Sequence, residues 1–239
     1  FAHECATCQT APDGRVVVYS GDDTESEHLY KFISAKPGSL ESGQLFVASL
    51  TERRCIPLNW QEDSRLKKAF SDKTEMLIRT REAAKLVGAT PLDRPEDIEI
   101  DPVSRAIFVS LTNNKKNDNH FGSLMKIVEK DNNPLNLEFD SYTFLAGGPE
   151  TGFACPDNLA FDAKGNLWMC TDMSGSAMGE APYEKYGNNG LFFIPLSGPH
   201  AGVAVQVASA PRGAEITGPC FSPDGKTLFL SIQHPGERG

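Results

Sequence analysis

Oxygen-bearing side chains recur at matching places along the chain: Glu4, then Arg94 with Glu96 and Asp97, then Asp157 and Asn158, then Glu215 and Thr217. Each group stands just before a short apolar segment. If those segments line a common axis, their entrances put the acids around one rim, where several carboxylates repel one another unless cations lie between them. Carboxylate oxygens, in a chain with only five histidines, favour hard ions such as Ca²⁺ and also suit Fe³⁺. The plainer alternative is that each acid caps a turn or pairs with a nearby lysine, which explains one position more readily than all of them. Arg94 can pair with the acids beside it or offer its planar fork of donors to a phosphate. Asp22 and Asp23 close the segment that begins at Arg15 and could add ligands, although Gly-Asp-Asp after a strand is also an ordinary turn.

The elements that must position these residues are repeats. Segments beginning at residues 11 (APDGRVVVYS), 101 (DPVSRAIFVS), 162 (DAKGNLWMCT) and 222 (SPDGKTLFLS) share a polar turn followed by alternating apolar residues. The last three starts are 61 and 60 residues apart, which is too long for one hairpin and suits a four-stranded unit with generous loops. Short apolar strands at Ile98 to Ile100, Leu159 to Phe161 and Pro219 to Phe221 precede three of the turns, so each repeat starts as a hairpin. This pattern predicts an all-β fold, a β-propeller, with a helical insertion at about residues 61–88 and one domain across 1–239. Within the insertion, Asp72 is placed to cap a helix from about Glu75 to Val87. Leu77, Ala84 and Val87 form its apolar stripe, and Gly88 stops it. A second possible helix covers Glu62 to Phe70, and Asn113 to His120 reads as an exposed polar loop.

Composition excludes several classes. With 239 residues the chain can build a core without disulfides or metals. No apolar run approaches the roughly 18 to 20 residues of a membrane span, so no membrane partner is expected. A net charge of −9 is the wrong sign for a phosphate-backbone binder, so no nucleic acid is expected either. The Cys5-x-x-Cys8 pair lacks the second half of a zinc site and reads as a buried thiol pair. Gly-x-Ser-x-Gly and the P-loop are both absent from the sequence, which removes serine-hydrolase and nucleotide-binding readings.

The phrases HE at 3–4, GRVVVYSGDD and LYKFIS within 14–34, LDRPEDIEIDP at 92–102, FACPDNLAFDAKGNLW at 153–168 and EITGPCFSPDGKTLFLSIQHPGE at 215–237 together resemble the PhoX-type alkaline phosphatases, in that family's order. The resemblance implies a six-bladed propeller with a calcium and iron cluster at its axis that hydrolyses phosphomonoesters after export, hence a periplasmic or secreted protein. It assigns Glu4, Glu96 and Asp157, with Asp23 and Glu215, to the metals, and Arg94 and Asn158 to the phosphate. The implied mechanism is in-line attack of a metal-bridged oxygen on phosphorus, with no protein nucleophile, and the substrate is a small phosphoester. A monomer is expected. Cys5 stands where the family usually has glycine. About four of six blades are visible, so the chain reads as a fragment lacking some of the family's ligands, a cysteine among them, and is expected to be inactive by itself. Two other readings fit the same residues: a calcium-dependent propeller lactonase or esterase, and a non-catalytic propeller that uses its rim for binding.

Overall fold

The computed structural model describes residues 2–235, so Gly236 and Glu237 of the last family phrase lie outside the described residues. The chain divides into two compact units, 1–95 with 127–141, and 96–126 with 142–239.

The first unit is built on a five-stranded antiparallel sheet. Its strands are β1 (Thr7–Thr10), β2 (Arg15–Gly21), β4 (Leu29–Pro37), β5 (Ser39–Ser49) and β6 (Arg54–Pro57), with β3 (Glu25–Glu27) lying between β2 and β4 in the chain. In β2 the alternation puts Val17 and Tyr19 inside while their neighbours stay partly exposed, as a half-buried strand requires. The turn before it closes on Gly14, whose φ of 83° lies in the left-handed region glycine tolerates. Asp13 accepts the Arg15 N–H there at 3.1 Å. Three helices follow: α1 (Ser64–Ala69), α2 (Lys73–Ile78) and α3 (Thr80–Val87). Their residues Leu66, Met76, Ala83, Ala84 and Val87 pack with Tyr30, Val47 and Ile56 of the sheet, and with Leu58 just beyond it, in one buried cluster.

The expected caps are present. Asp72 accepts the Glu75 N–H at 2.8 Å, Glu75 reaches back to the Ser71 N–H at 2.7 Å, and Gly88 ends α3 with φ 89°. The single helix expected from Glu75 to Val87 is instead broken at Arg79, whose φ of −102° and ψ of 42° are not helical. That break rotates the apolar face, so Met76 is buried and Leu77, expected in the stripe, is exposed. Arg79 is held at the break by Glu75 and Glu82, at 2.7 and 2.5 Å. The thiol pair is also corrected: Cys8 is exposed and Cys5 half-buried. A buried ion pair, Lys31 to Glu129 at 2.5 Å, ties the 127–141 segment to this sheet, and the Tyr19 hydroxyl donates to the same carboxylate at 2.8 Å.

After β7 (Leu92–Asp93), which pairs with β3, comes a four-stranded sheet of β8 (Pro95–Ile100), β9 (Ile107–Leu111), β10 (Ser123–Glu129) and β11 (Phe139–Ala146). Gly21, the last residue of β2, lies against the Pro95 carbonyl so closely that a Cβ at residue 21 would overlap it. Gly21→Ala is therefore expected to lower the stability of the first unit by about 1–3 kcal/mol, as overpacking does, measured by urea unfolding. An unchanged midpoint would mean that the two segments part freely.

The second unit continues with β12 (Pro156–Phe161), β13 (Leu167–Thr171), β14 (Gly190–Ile194) and β15 (Val205–Ser209) in one antiparallel sheet, then β16 (Glu215–Phe221) paired with β17 (Leu228–Gln233). Phe108, Leu124, Phe153, Leu159, Leu167, Met169, Phe192 and Ile194 form its main core. Phe108 meets Phe161 edge-on, with ring centroids 5.6 Å apart. A second cluster of Cys170, Leu191, Ala214 and Ile216 joins β13 and β14 to β16. The strands that carry the acids start earlier than the apolar pattern suggests: β8, β12 and β16 begin at Pro95, Pro156 and Glu215 rather than at Ile98, Leu159 and Pro219. The protein is thus mostly β, in successive antiparallel sheets with few helices. Asn113 to His120 is exposed at residues 115–118, as expected, and is anchored by Asn114, which is fully buried and accepts the Lys116 N–H.

Candidate metal and phosphate site

In the second unit the early strand starts take in the acids, and β12 and β16 each carry an irregularity in pairing, at Asp157 in the one and beyond Glu215 in the other. Pro156 pairs with Thr171, but Leu159 already pairs with Met169, so Asp157 and Asn158 occupy a bulge. Thr217 pairs with Ser231 and Cys220 with Phe229, which repeats the irregularity at Gly218 and Pro219. A bulge re-aims a side chain that regular alternation would send elsewhere. Backbone conformation marks the same places. Cys155, directly before Pro156 and Asp157, has φ 53°. Arg94, directly before Pro95 and Glu96, has φ 56°. Left-handed backbone is uncommon for such side chains, and it gathers where the surrounding structure fixes a site.

Asp157 is 3% exposed. Burial pushes its carboxyl up to about 10, helped by the charges of Glu96, Asp172 and Glu215 and by a hydrogen bond with Glu215. Glu96 is buried and accepts the Thr112 hydroxyl at 3.0 Å. The Asn158 amide donates to Asp157 Oδ1 at 3.1 Å, while its Oδ1 accepts the Gly218 N–H at 2.8 Å and the Thr217 hydroxyl. Asp97 does the same work one repeat earlier, accepting the Leu159 N–H at 2.7 Å. So Asp97 and Asn158, 61 residues apart, each hold the backbone of the next acid-bearing strand.

Sequence reasoning missed Asp172. It follows the last residue of β13 just as Asp22 follows the last residue of β2, a signal available in the repeat. Asp172, Glu215, Ser174, Glu180 and His234 line a cleft of about 510 Å³. Four carboxylates around one buried position cannot all be charged without a compensating cation, and an all-oxygen donor set fits a hard ion.

The first unit holds the remaining candidates. Glu4 is exposed and Asp23 half-buried, with carboxylate oxygens within 4.8 Å of each other. Arg94 grips Asp23 with two bonds, Nε at 2.7 Å and Nη2 at 2.9 Å, so the arginine pairs with Asp23 and is oriented by it. Asp22, considered as a further ligand, is fully buried and taken by Arg81 through Nε at 2.7 Å and Nη2 at 2.6 Å. No helix among the described residues is long and apolar enough to cross a membrane.

A search of curated proteins finds no match. The solved structure of Pseudomonas fluorescens PhoX, in complex with vanadate as a transition state analogue, is 31% identical and covers 99% of this chain and 49% of its own, with a TM-score of 0.85. The chain thus spans about half the length of that relative. A 6-phosphogluconolactonase candidate from Bacteroides uniformis is 15% identical with a TM-score of 0.43, covering 94% of this chain and 63% of its own. The family model for alkaline phosphatase PhoX matches residues 1–236. With that match running along almost its whole length, the chain belongs to the PhoX alkaline phosphatase family.

Proposed function

We propose that the full-length gene product is an exported phosphoric monoester hydrolase whose acids hold calcium and iron, and that its sheets are blades of a propeller. The observation that carries this reading is the buried Asp157 ringed by Glu96, Asp172 and Glu215 in a member of this family. Glu96, Asp157, Glu215 and Asp172 hold hard cations in the second unit. The family correspondence gives Glu4 and Asp23 the same work in the first. When bound, such ions supply Lewis-acid neutralisation of charge on phosphoryl oxygens.

The chain's own residues do the rest. Arg94, oriented by Asp23, donates to the equatorial oxygens of a phosphoryl group, where a planar cation stabilises charge that spreads during transfer. Asn158 fixes the rotamer of Asp157 and keeps an amide beside the phosphate. The new P–O bond is made by an oxygen from water, the ester P–O bond breaks in line, and the alcohol leaves with the proton. No side chain is required as nucleophile.

The test is metal analysis and p-nitrophenyl phosphate turnover of the full-length gene product. Turnover is expected to vanish with chelator and return with calcium and iron, and Glu96→Gln is expected to lose both metal and rate. A Glu96→Gln protein with unaltered metal content and rate would overturn the proposal. Calcium without iron, together with lactone hydrolysis, would assign the site to a lactonase.

A further inference from the structure

We propose that Asn189 is the positioning residue of the acidic cleft, fixing the spacing of Asp172 and Glu215 by clamping the backbone beside each. This rests on reading those carboxylates as cation ligands. Asn189 is 1% exposed and lines the same cleft. Its Oδ1 accepts the Met173 N–H at 2.6 Å and the Thr171 hydroxyl at 3.3 Å, so both chain neighbours of Asp172 are held. Its Nδ2 donates to the Met173 carbonyl at 3.0 Å and the Ala214 carbonyl at 3.3 Å, and Ala214 directly precedes Glu215. The amide's two donors and two acceptor sites are thus all used.

The third arm of the arrangement is backbone alone. The Asp172 N–H donates to the Cys155 carbonyl at 2.9 Å, two residues before Asp157. Two segments distant in sequence, 171–173 and Ala214, meet at one side chain, and only asparagine has the right mix of groups at this length. Aspartate would aim lone pairs at two carbonyls and add charge beside three carboxylates. Alanine would leave the Met173 N–H and two carbonyls unpaired.

Terbium, a luminescent stand-in for calcium, provides the test on the 239-residue chain. Asn189→Ala is expected to weaken terbium binding by about tenfold or more, the usual consequence of losing a group that orients ligands. Ile194→Val, a core change at the far end of β14, is expected to leave it within about twofold. Asn189→Ser serves if the alanine variant does not fold. Equal binding by Asn189→Ala and wild type, or an equal loss in the Ile194→Val control, overturns the inference. If the wild type binds no terbium, the cation reading fails, and amide exchange decides the clamp. Exchange at Met173 and at 213–217 at least about a hundredfold faster in the variant supports it, and unchanged protection overturns it.

Discussion

Asp157→Asn is expected to make the calcium-free chain more stable than wild type at pH 8 and to abolish its stabilisation by calcium. Burial, then the neighbouring charges of Glu96, Asp172 and Glu215, raise the Asp157 carboxyl far above its unfolded value. A group raised on folding contributes its stability in full below the unfolded value near pH 4, and loses it progressively as pH climbs toward the folded value of about 10. Each pH unit in that window is worth about 1.4 kcal/mol at most, so wild type forfeits up to about 5–6 kcal/mol by pH 8. Asparagine carries no proton to lose. Its Oδ1 can still accept from Asn158, and its amide can donate to Glu215. Calcium reverses the order: at a hundred times its dissociation constant a ligand adds about 2.7 kcal/mol to the form that binds it, and the variant lacks the central carboxylate. Urea midpoints at pH 6 and pH 8, with chelator and with calcium, should therefore cross. A variant less stable than wild type in chelator at pH 8 would show that the four carboxylates do not burden the fold.

Much of this site was legible because its signals repeat. The turn at Asp162 to Asn166 and its relatives at residues 11, 101 and 222 fix where each hairpin begins, and Glu96, Asp157 and Glu215 stand at corresponding strand starts. What was not legible depends on contacts between distant segments. The bulge at Asp157 and Asn158 arises from how β12 pairs with β13, and nothing local in Pro-Asp-Asn-Leu announces a skipped residue. Asn158 is given to the phosphate by the family resemblance alone; its hold on Gly218, 60 residues away, has no sequence signature. Asn189 sits in an unremarkable Gly-Asn-Asn-Gly stretch, and only the fold brings Thr171, Met173 and Ala214 to it. The helix break at Arg79 is likewise unannounced, since its ion pairs with Glu75 and Glu82 stand at i,i+4 and i,i+3 spacings that suit a continuous helix.

Arg81→Ala is expected to lower the stability of the first unit by about 1–3 kcal/mol at pH 7, the usual result of leaving a buried carboxylate short of its partner, with Arg81 itself a third exposed. Asp22 is fully buried, yet burial, which alone would raise its proton affinity, is outweighed by the two Arg81 bonds and the Ala2 N–H at 2.9 Å, so its carboxyl lies below the ordinary range. Arg81 belongs to α3, and the pair therefore fastens the helical segment to the end of β2, next to Asp23. A depressed carboxyl contributes stability above the unfolded value near pH 4 and loses it as pH falls through the lower folded value. Without Arg81 burial dominates, the shift changes sign, and the variant loses stability as pH rises from 4 to 7. The gap between variant and wild type should accordingly be wider at pH 7 than at pH 4.5. Arg81→Lys should recover only part of it, since an ammonium cannot reproduce the two-bond fork. Urea unfolding followed by Trp60, whose ring packs on the core of this unit, reads the gap directly. An equal deficit at both pH values would mean that Arg81 acts through packing rather than through the Asp22 charge.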